Sequence, residues 1–198
     1  MNSFDIISNF ERESSYKKNH FGFLFYSLIR VYKPKNCIEF GVLNGYSTVS
    51  ISCGLKDNGF GKLNAVDLFE DYEYKNNTFQ EASKIIAKYD LNKYTSLIRD
   101  DVYSFSEKIE NNSIDFIHLD ISNDGDKISK FINKLYPKMK KDCLFIFEGG
   151  SKNRDSCEWM KKYNKTSINN IIKNQDFLRK FNFLVAEPIP SLTICIKR

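Results

Sequence analysis

Residues 37–51 read CIEFGVLNGYSTVSI: an apolar run ending at Phe40, a short stretch bracketed by Gly41 and Gly45, then an amphipathic turn. A buried strand, a tight loop and the first turns of a helix are expected here, since glycine supplies backbone angles that side chains resist. The N–H groups near Tyr46 and Ser47, at the start of such a helix, suit an anionic group such as a carboxylate. The loop is not a P-loop, because no GK[ST] follows. Nor is it the dinucleotide fingerprint GxGxxG, whose second glycine admits a pyrophosphate. Val42 and Leu43 stand where small residues would be needed, so a ligand without phosphates fits this loop better.

Outward from the loop the pattern repeats. Strand candidates at 37–40, 63–68, 96–98, 114–119 and 144–147 are separated by helical patterns at 47–55, 78–89, 103–109 and 128–139. Strands alternating with helices of this size predict a parallel sheet covered on both faces, with ligands at the carboxyl ends of the strands. Residues 4–32 are expected to be helical, with HFGFLFYSLIRVY (20–32) packing an apolar face and Pro34 stopping the helix. At the other end, FNFLVAEPIPSLTICIKR (181–198) reads as two strands joined around 188–191. So short a connection permits an antiparallel hairpin and forbids a parallel crossover. The expected fold is therefore α/β: a Rossmann-like, doubly wound, mostly parallel seven-stranded sheet with an antiparallel C-terminal hairpin and N-terminal helices. A single domain is expected over 1–198, with 1–35 as a helical cap and 36–198 as the sheet domain.

Composition narrows the function classes. At 198 residues the chain can bury a full core, and its charged fraction of 28% is that of an ordinary globular protein. The net charge is +5, but lysines alternate with acids and form no long basic block, which argues against nucleic acid as a partner. Five scattered cysteines without a CxxC pair read as buried reduced thiols. Acids interrupt the N-terminus where a signal peptide needs an apolar core, and no stretch approaches a membrane span. The reading is a cytoplasmic protein with a small-molecule partner and no membrane contact; a homodimer is the protein partnership considered.

IEFGVLNGYSTV (38–49) resembles the first motif of class I S-adenosylmethionine-dependent methyltransferases, especially the small O-methyltransferases, which often read E-x-G-x-x-x-G-x-S. The resemblance implies that this loop and its serine hold the methionine end of the cofactor, at Glu39, Gly41, Gly45 and Ser47. Asp67, closing LNAVDLF, matches the acid on the ribose hydroxyls; Asp101, in LIRDDVYSF, matches the acid near the adenine amino group. Asp120 ends IDFIHLD and Glu148 ends LFIFEGG, matching acids after the fourth and fifth strands. Each acid alone would pass for a helix cap, but four at successive strand ends behind a glycine loop are hard to explain by capping.

Methyl transfer from a sulfonium needs an aligned nucleophile, exclusion of water and often removal of a proton. Asp120 and Glu148 are the candidates for that work, Asp120 also counting among the cofactor positions. His118, two residues before Asp120, is a further candidate base, although an inward histidine on a strand is more often a core residue than a catalyst. In catechol-type relatives the corresponding acids help bind a divalent metal, so Mg²⁺ at Asp120 and Glu148 is an alternative, supported by Asn123, Asp124 and Asp126 in DISNDGD. Against it, those relatives place Asp-Asn where this chain has Glu148-Gly149. The stretch 148–168 offers Arg154, Trp159, Lys161, Tyr163 and Lys165 as donors and a stacking face, and is similar to methyltransferases of sugar and polysaccharide pathways. The expected function is methylation, through S-adenosylmethionine, of a hydroxyl on a sugar or sugar nucleotide. An NAD-linked oxidoreductase and a non-catalytic S-adenosylmethionine-binding protein are the other classes considered.

Overall fold

The structure, a computed structural model, describes residues 1–73 and 77–198. Contacts divide the chain into two compact units, Met1–Lys108 and Ile109–Arg198.

The first unit is built on three parallel strands. β1 (Asn36–Phe40), β2 (Lys62–Asp67) and β3 (Thr95–Arg99) lie in the order β3-β2-β1, with Phe40 opposite Val66 and Asp67 opposite Arg99. Parallel neighbours need a crossover, supplied here by α3 (Tyr46–Asn58) between β1 and β2 and by α4 (Phe79–Lys88) between β2 and β3. Helix α3 is buried continuously from Tyr46 to Leu55, because α1 (Ser3–Ser8) and α2 (Phe21–Tyr32) cover it on one side and β2 packs on another. Its polar residues are therefore paired: Ser50 Oγ donates to the Tyr46 carbonyl, and Ser52 and Thr95 share a 2.6 Å bond. Gly54 allows α2 to come this close, since a Cβ there would lie 2.8 Å from Ile29 Cβ. α5 (Val102–Lys108) closes the unit.

The second unit carries β4 (Ile114–Leu119), β5 (Met139–Glu148), β6 (Phe181–Ala186) and β7 (Leu192–Lys197) in the order β4-β5-β7-β6. β4 and β5 are parallel; β5–β7 and β6–β7 are antiparallel, so the expected C-terminal hairpin is present. Between β4 and β5, α6 (Gly125–Leu135) buries Ile128, Phe131, Ile132 and Leu135, the spacing of one helical face. Four short helices, α7 (Lys152–Asp155), α8 (Glu158–Lys162), α9 (Ile168–Ile172) and α10 (Gln175–Lys180), join β5 to β6. Phe145, Phe147, Phe177 and Phe181 form an aromatic core.

Two expectations need correction. The N-terminal 4–32 segment is not one helical run: residues between Ser8 and Phe21 form turns, and His20 adopts a left-handed conformation where α2 begins. The helix expected over 128–139 stops at Leu135 and tightens into a 3-10 turn at Tyr136–Lys138, because Pro137 has no N–H to continue the α pattern. Met139 then starts β5, which is correspondingly longer than the expected 144–147. All five cysteines are free, and burial pushes the Cys53 thiol up to about 11 and Cys143 up to about 12. Among the described residues no helix is long and apolar enough to cross a membrane.

Candidate active site

The sequence-predicted residues fall into two groups, one in each unit. In the first, β1 ends at Phe40 and the chain turns through Gly41 (φ +92°), Leu43 (φ +46°) and Gly45 (φ +83°) into α3. These left-handed angles are what the two glycines provide. A Cβ at Gly45 would meet no atom within 4 Å, so the loop leaves open space directly before the first N–H groups of α3. The Tyr46, Ser47 and Thr48 amides belong to that first turn and have no acceptor within the helix. Glu39 is fully buried, and its carboxylate accepts from Thr48 Oγ1 at 2.5 Å, tying β1 to α3 beneath the loop. Ser47 is buried in the same first turn.

Asp67 closes β2 and reaches across to the loop. Its Oδ2 accepts from the N–H of Val42 at 2.7 Å and of Leu43 at 3.4 Å, while Oδ1 accepts from Phe69 N–H at 2.7 Å. The carboxylate therefore shapes the loop as well as standing where a ribose acid is expected. Asp101 Oδ1 accepts from the Tyr103 and Ser104 amides, so it caps α5.

In the second unit, β4 leads to Asp120 and β5 ends at Glu148. Glu148 Oε1 accepts from Arg154 Nε at 3.1 Å, Arg154 Nη2 at 3.0 Å and Asn123 Nδ2 at 2.8 Å. Both charged side chains of that ion pair are about nine-tenths buried. Burial, then the nearby charge of Asp120, raises Glu148 to about 7, against the pull of Arg154 and Asn123. Gly149 (φ +101°) and Gly150 (φ +102°) follow, and a Cβ at Gly150 would lie 2.1 Å from Thr193 Oγ1, so only glycine lets β7 pass this close. His118 is fully buried within β4. Trp159 and Tyr163 are substantially exposed, their rings 5.5 Å apart, with Arg154 and Lys165 each over the Trp159 ring.

A model of the methyltransferase domain matches residues 38–148, more than half of the chain. The chain belongs to the methyltransferase domain family. No curated protein matches the sequence significantly. Among solved structures, an O-methyltransferase from Bacillus cereus, in complex with S-adenosylhomocysteine, is 11% identical with a TM-score of 0.71, covering 99% of this chain and 89% of that one. TomG from Streptomyces achromogenes, an O-methyltransferase of tomaymycin synthesis in complex with S-adenosylmethionine, is 10% identical with a TM-score of 0.69 over 99% and 96% of the two chains. A methyltransferase from Geobacter sulfurreducens is 14% identical with a TM-score of 0.65 over 89% and 77%. At these identities the likeness speaks to fold: a Rossmann-like methyltransferase with a seven-stranded mixed sheet, an antiparallel C-terminal hairpin and flanking helices.

The methyltransferase chain thus gathers Glu39, Gly41, Gly45, Ser47 and Asp67 around one loop, and Asp120, Asn123 and Glu148 around one strand end. The divalent metal fits the second group poorly. Arg154 already places a guanidinium on Glu148, and a second cation there would be repelled. Asp124 is committed to capping α6, accepting from Asp126 N–H and Thr166 Oγ1. Burial works to raise its pKa, but Thr166, the Lys127 amide and Lys165 outweigh it and hold the carboxyl below its ordinary value. Among the described residues no group of three or more His, Cys, Asp or Glu is arranged to hold a metal ion. Sequence reasoning missed Arg12, Glu13 and Asn77, which hold the loop tip; no motif marks them, and an asparagine directly before the T-x-x-E capping pattern of 78–81 was the one signal on offer.

Proposed function

We propose that this chain is an S-adenosylmethionine-dependent O-methyltransferase of a small polar acceptor, a hydroxyl of a sugar or sugar nucleotide. The observation that carries the cofactor assignment is the loop 41–45: two left-handed glycines, open space at Gly45 and a first turn of α3 whose N-cap, Gly45, has no side chain to cap it. When bound, S-adenosylmethionine supplies an electrophilic methyl group on a sulfonium. The α3 amides would donate to its carboxylate, as the positive end of a helix favours an anion. Asp67 would offer its one remaining lone pair, on Oδ1, to a ribose hydroxyl, and Asp101 would serve the adenine end. That Bacillus cereus and Streptomyces achromogenes proteins of this fold were solved with S-adenosylhomocysteine and S-adenosylmethionine supports the assignment.

Asp120 and Glu148 would serve the acceptor. A carboxylate whose pKa has moved to about 7 is half-ionised near neutrality, the range in which a base both holds and releases a proton efficiently. Glu148 would take the hydroxyl proton as the oxygen attacks, Asp120 would orient the hydroxyl, and Arg154 and Asn123 would keep Glu148 in place. The acceptor class rests on the similarity of 148–168 to sugar-pathway methyltransferases and on exposed Trp159 and Tyr163, whose faces suit a sugar or base ring. Incubation with methyl-labelled S-adenosylmethionine and a panel of sugars and sugar nucleotides tests it. Label recovered in a sugar hydroxyl ether supports the reading; label recovered only in non-sugar acceptors removes the acceptor class while keeping the activity.

A further inference from the structure

Leu43 poses a problem that the loop does not solve by itself. It is a branched residue in the left-handed region (φ +46°), and its side chain is 47% exposed, so packing does little to hold it. Backbone bonds from outside the loop hold it instead. Beyond Asp67, the Leu43 carbonyl accepts from Asn77 Nδ2 at 2.6 Å, and the neighbouring Asn44 side chain donates to the Glu13 carbonyl at 3.0 Å.

Asn77 is oriented in turn. It is 7% exposed, and its Oδ1 accepts from Arg12 Nη1 at 2.8 Å and from Thr78 N–H at 3.0 Å. Both of those partners are donors only, so the amide has one satisfied orientation, with Nδ2 facing Leu43. Arg12 is itself steered by Glu81 at 3.7 Å, on the first turn of α4, where the Thr78–Glu81 capping box fixes the helix start. We infer that Asn77 is a positioning residue for the cofactor loop and that Arg12 locks it, so the turn segment after α1 controls affinity for S-adenosylmethionine through the chain Arg12–Asn77–Leu43. This rests on the cofactor assignment above. The relay touches no reacting atom; it fixes the backbone on which the methionine end would rest.

The test is calorimetric titration of S-adenosylmethionine into the full chain and variants, with thermal melts alongside. Asn77→Asp keeps the oxygen that faces Arg12 and Thr78 but turns a second oxygen on the Leu43 carbonyl, and should weaken binding about tenfold, the factor expected for a buried hydrogen bond turned repulsive. Arg12→Met should weaken it several-fold, with Arg12→Lys restoring part of the loss. Asn58→Ala is the control: its Nδ2 donates to the Ile29 carbonyl, at the far end of α3 from the loop, so it should lower melting temperature and leave binding unchanged. Should Asn77→Asp fail to fold, Arg12→Met decides alone. Wild-type affinity in a folded Asn77→Asp or Arg12→Met overturns the relay, as does equal weakening in Asn58→Ala. A wild-type chain that binds no S-adenosylmethionine overturns the cofactor assignment itself, and the relay with it.

Discussion

Asp67→Asn separates the two tasks placed on one carboxylate. Asp67 satisfies three backbone donors with two oxygens: Val42 and Leu43 on one, Phe69 on the other. An amide of the same shape has one acceptor oxygen, so in its better orientation it keeps the loop and turns an NH₂ against the Phe69 N–H. One hydrogen bond to a charged group is lost, worth about 1.5–3 kcal/mol, and a donor is left facing a donor. Phe69 has φ +51°, a strained angle that the bond to Asp67 helps to hold beside the packing of its buried ring on Phe79. For a chain of this size a loss of about 2–3 kcal/mol corresponds to a melting temperature roughly 4–12 °C lower. If the same group also accepts from a ribose hydroxyl, S-adenosylmethionine affinity should fall by a further factor of about ten or more, as the charge is lost from that bond too. Thermal melts with and without S-adenosylmethionine, together with calorimetry, read both effects. An unchanged melting temperature would refute the loop-shaping role, and a lowered melting temperature with undiminished affinity would refute the ribose role.

Gly45→Val should fold, because the added side chain enters open space, but it should abolish cofactor binding by filling that space and straining a φ of +83°; calorimetry on a variant with native circular dichroism checks this. The rate of methyl transfer should rise with pH through about 7 as Glu148 ionises, and Glu148→Gln should lose that limb together with roughly 10²–10⁴ in rate. The same group sets a stability slope. Its folded pKa lies above the ordinary 4.5, so its stabilising contribution is full below that value and declines as pH rises through about 7, by about 3 kcal/mol in all. Denaturant unfolding from acid to mildly alkaline pH should therefore show a shallower decline in Glu148→Gln than in the wild type. EDTA should leave turnover unchanged, because Arg154 occupies Glu148; activity lost to EDTA and restored by Mg²⁺ would contradict that assignment.

The strands were legible because their burial is written as short apolar runs bounded by glycine, proline and acids. The 37–40 and 114–119 runs fall within a residue of β1 and β4. The loop was legible because left-handed angles select glycine at 41 and 45. Where the sequence misled, non-local packing or a single residue decided. Residues 9–20 are polar apart from Phe10 and Tyr16, which are buried by packing on rings from elsewhere in the unit, and the segment crosses to the loop instead of coiling. Pro137 ended α6 short of the expected residue 139. The acids show the same divide. Their places at strand ends follow from strand length, but Asp101 capping α5, Asp67 bracing the loop and Arg154 seated on Glu148 depend on contacts between 6 and 25 residues apart or on cap geometry that spacing does not reveal.

The most direct test is a calorimetric titration of the purified chain with S-adenosylmethionine and, separately, with NAD. The loop from Gly41 to Gly45, lacking the second glycine that admits a pyrophosphate, predicts saturable binding of S-adenosylmethionine that is lost in Gly45→Val, and no binding of NAD. Saturable NAD binding with none for S-adenosylmethionine would contradict the account.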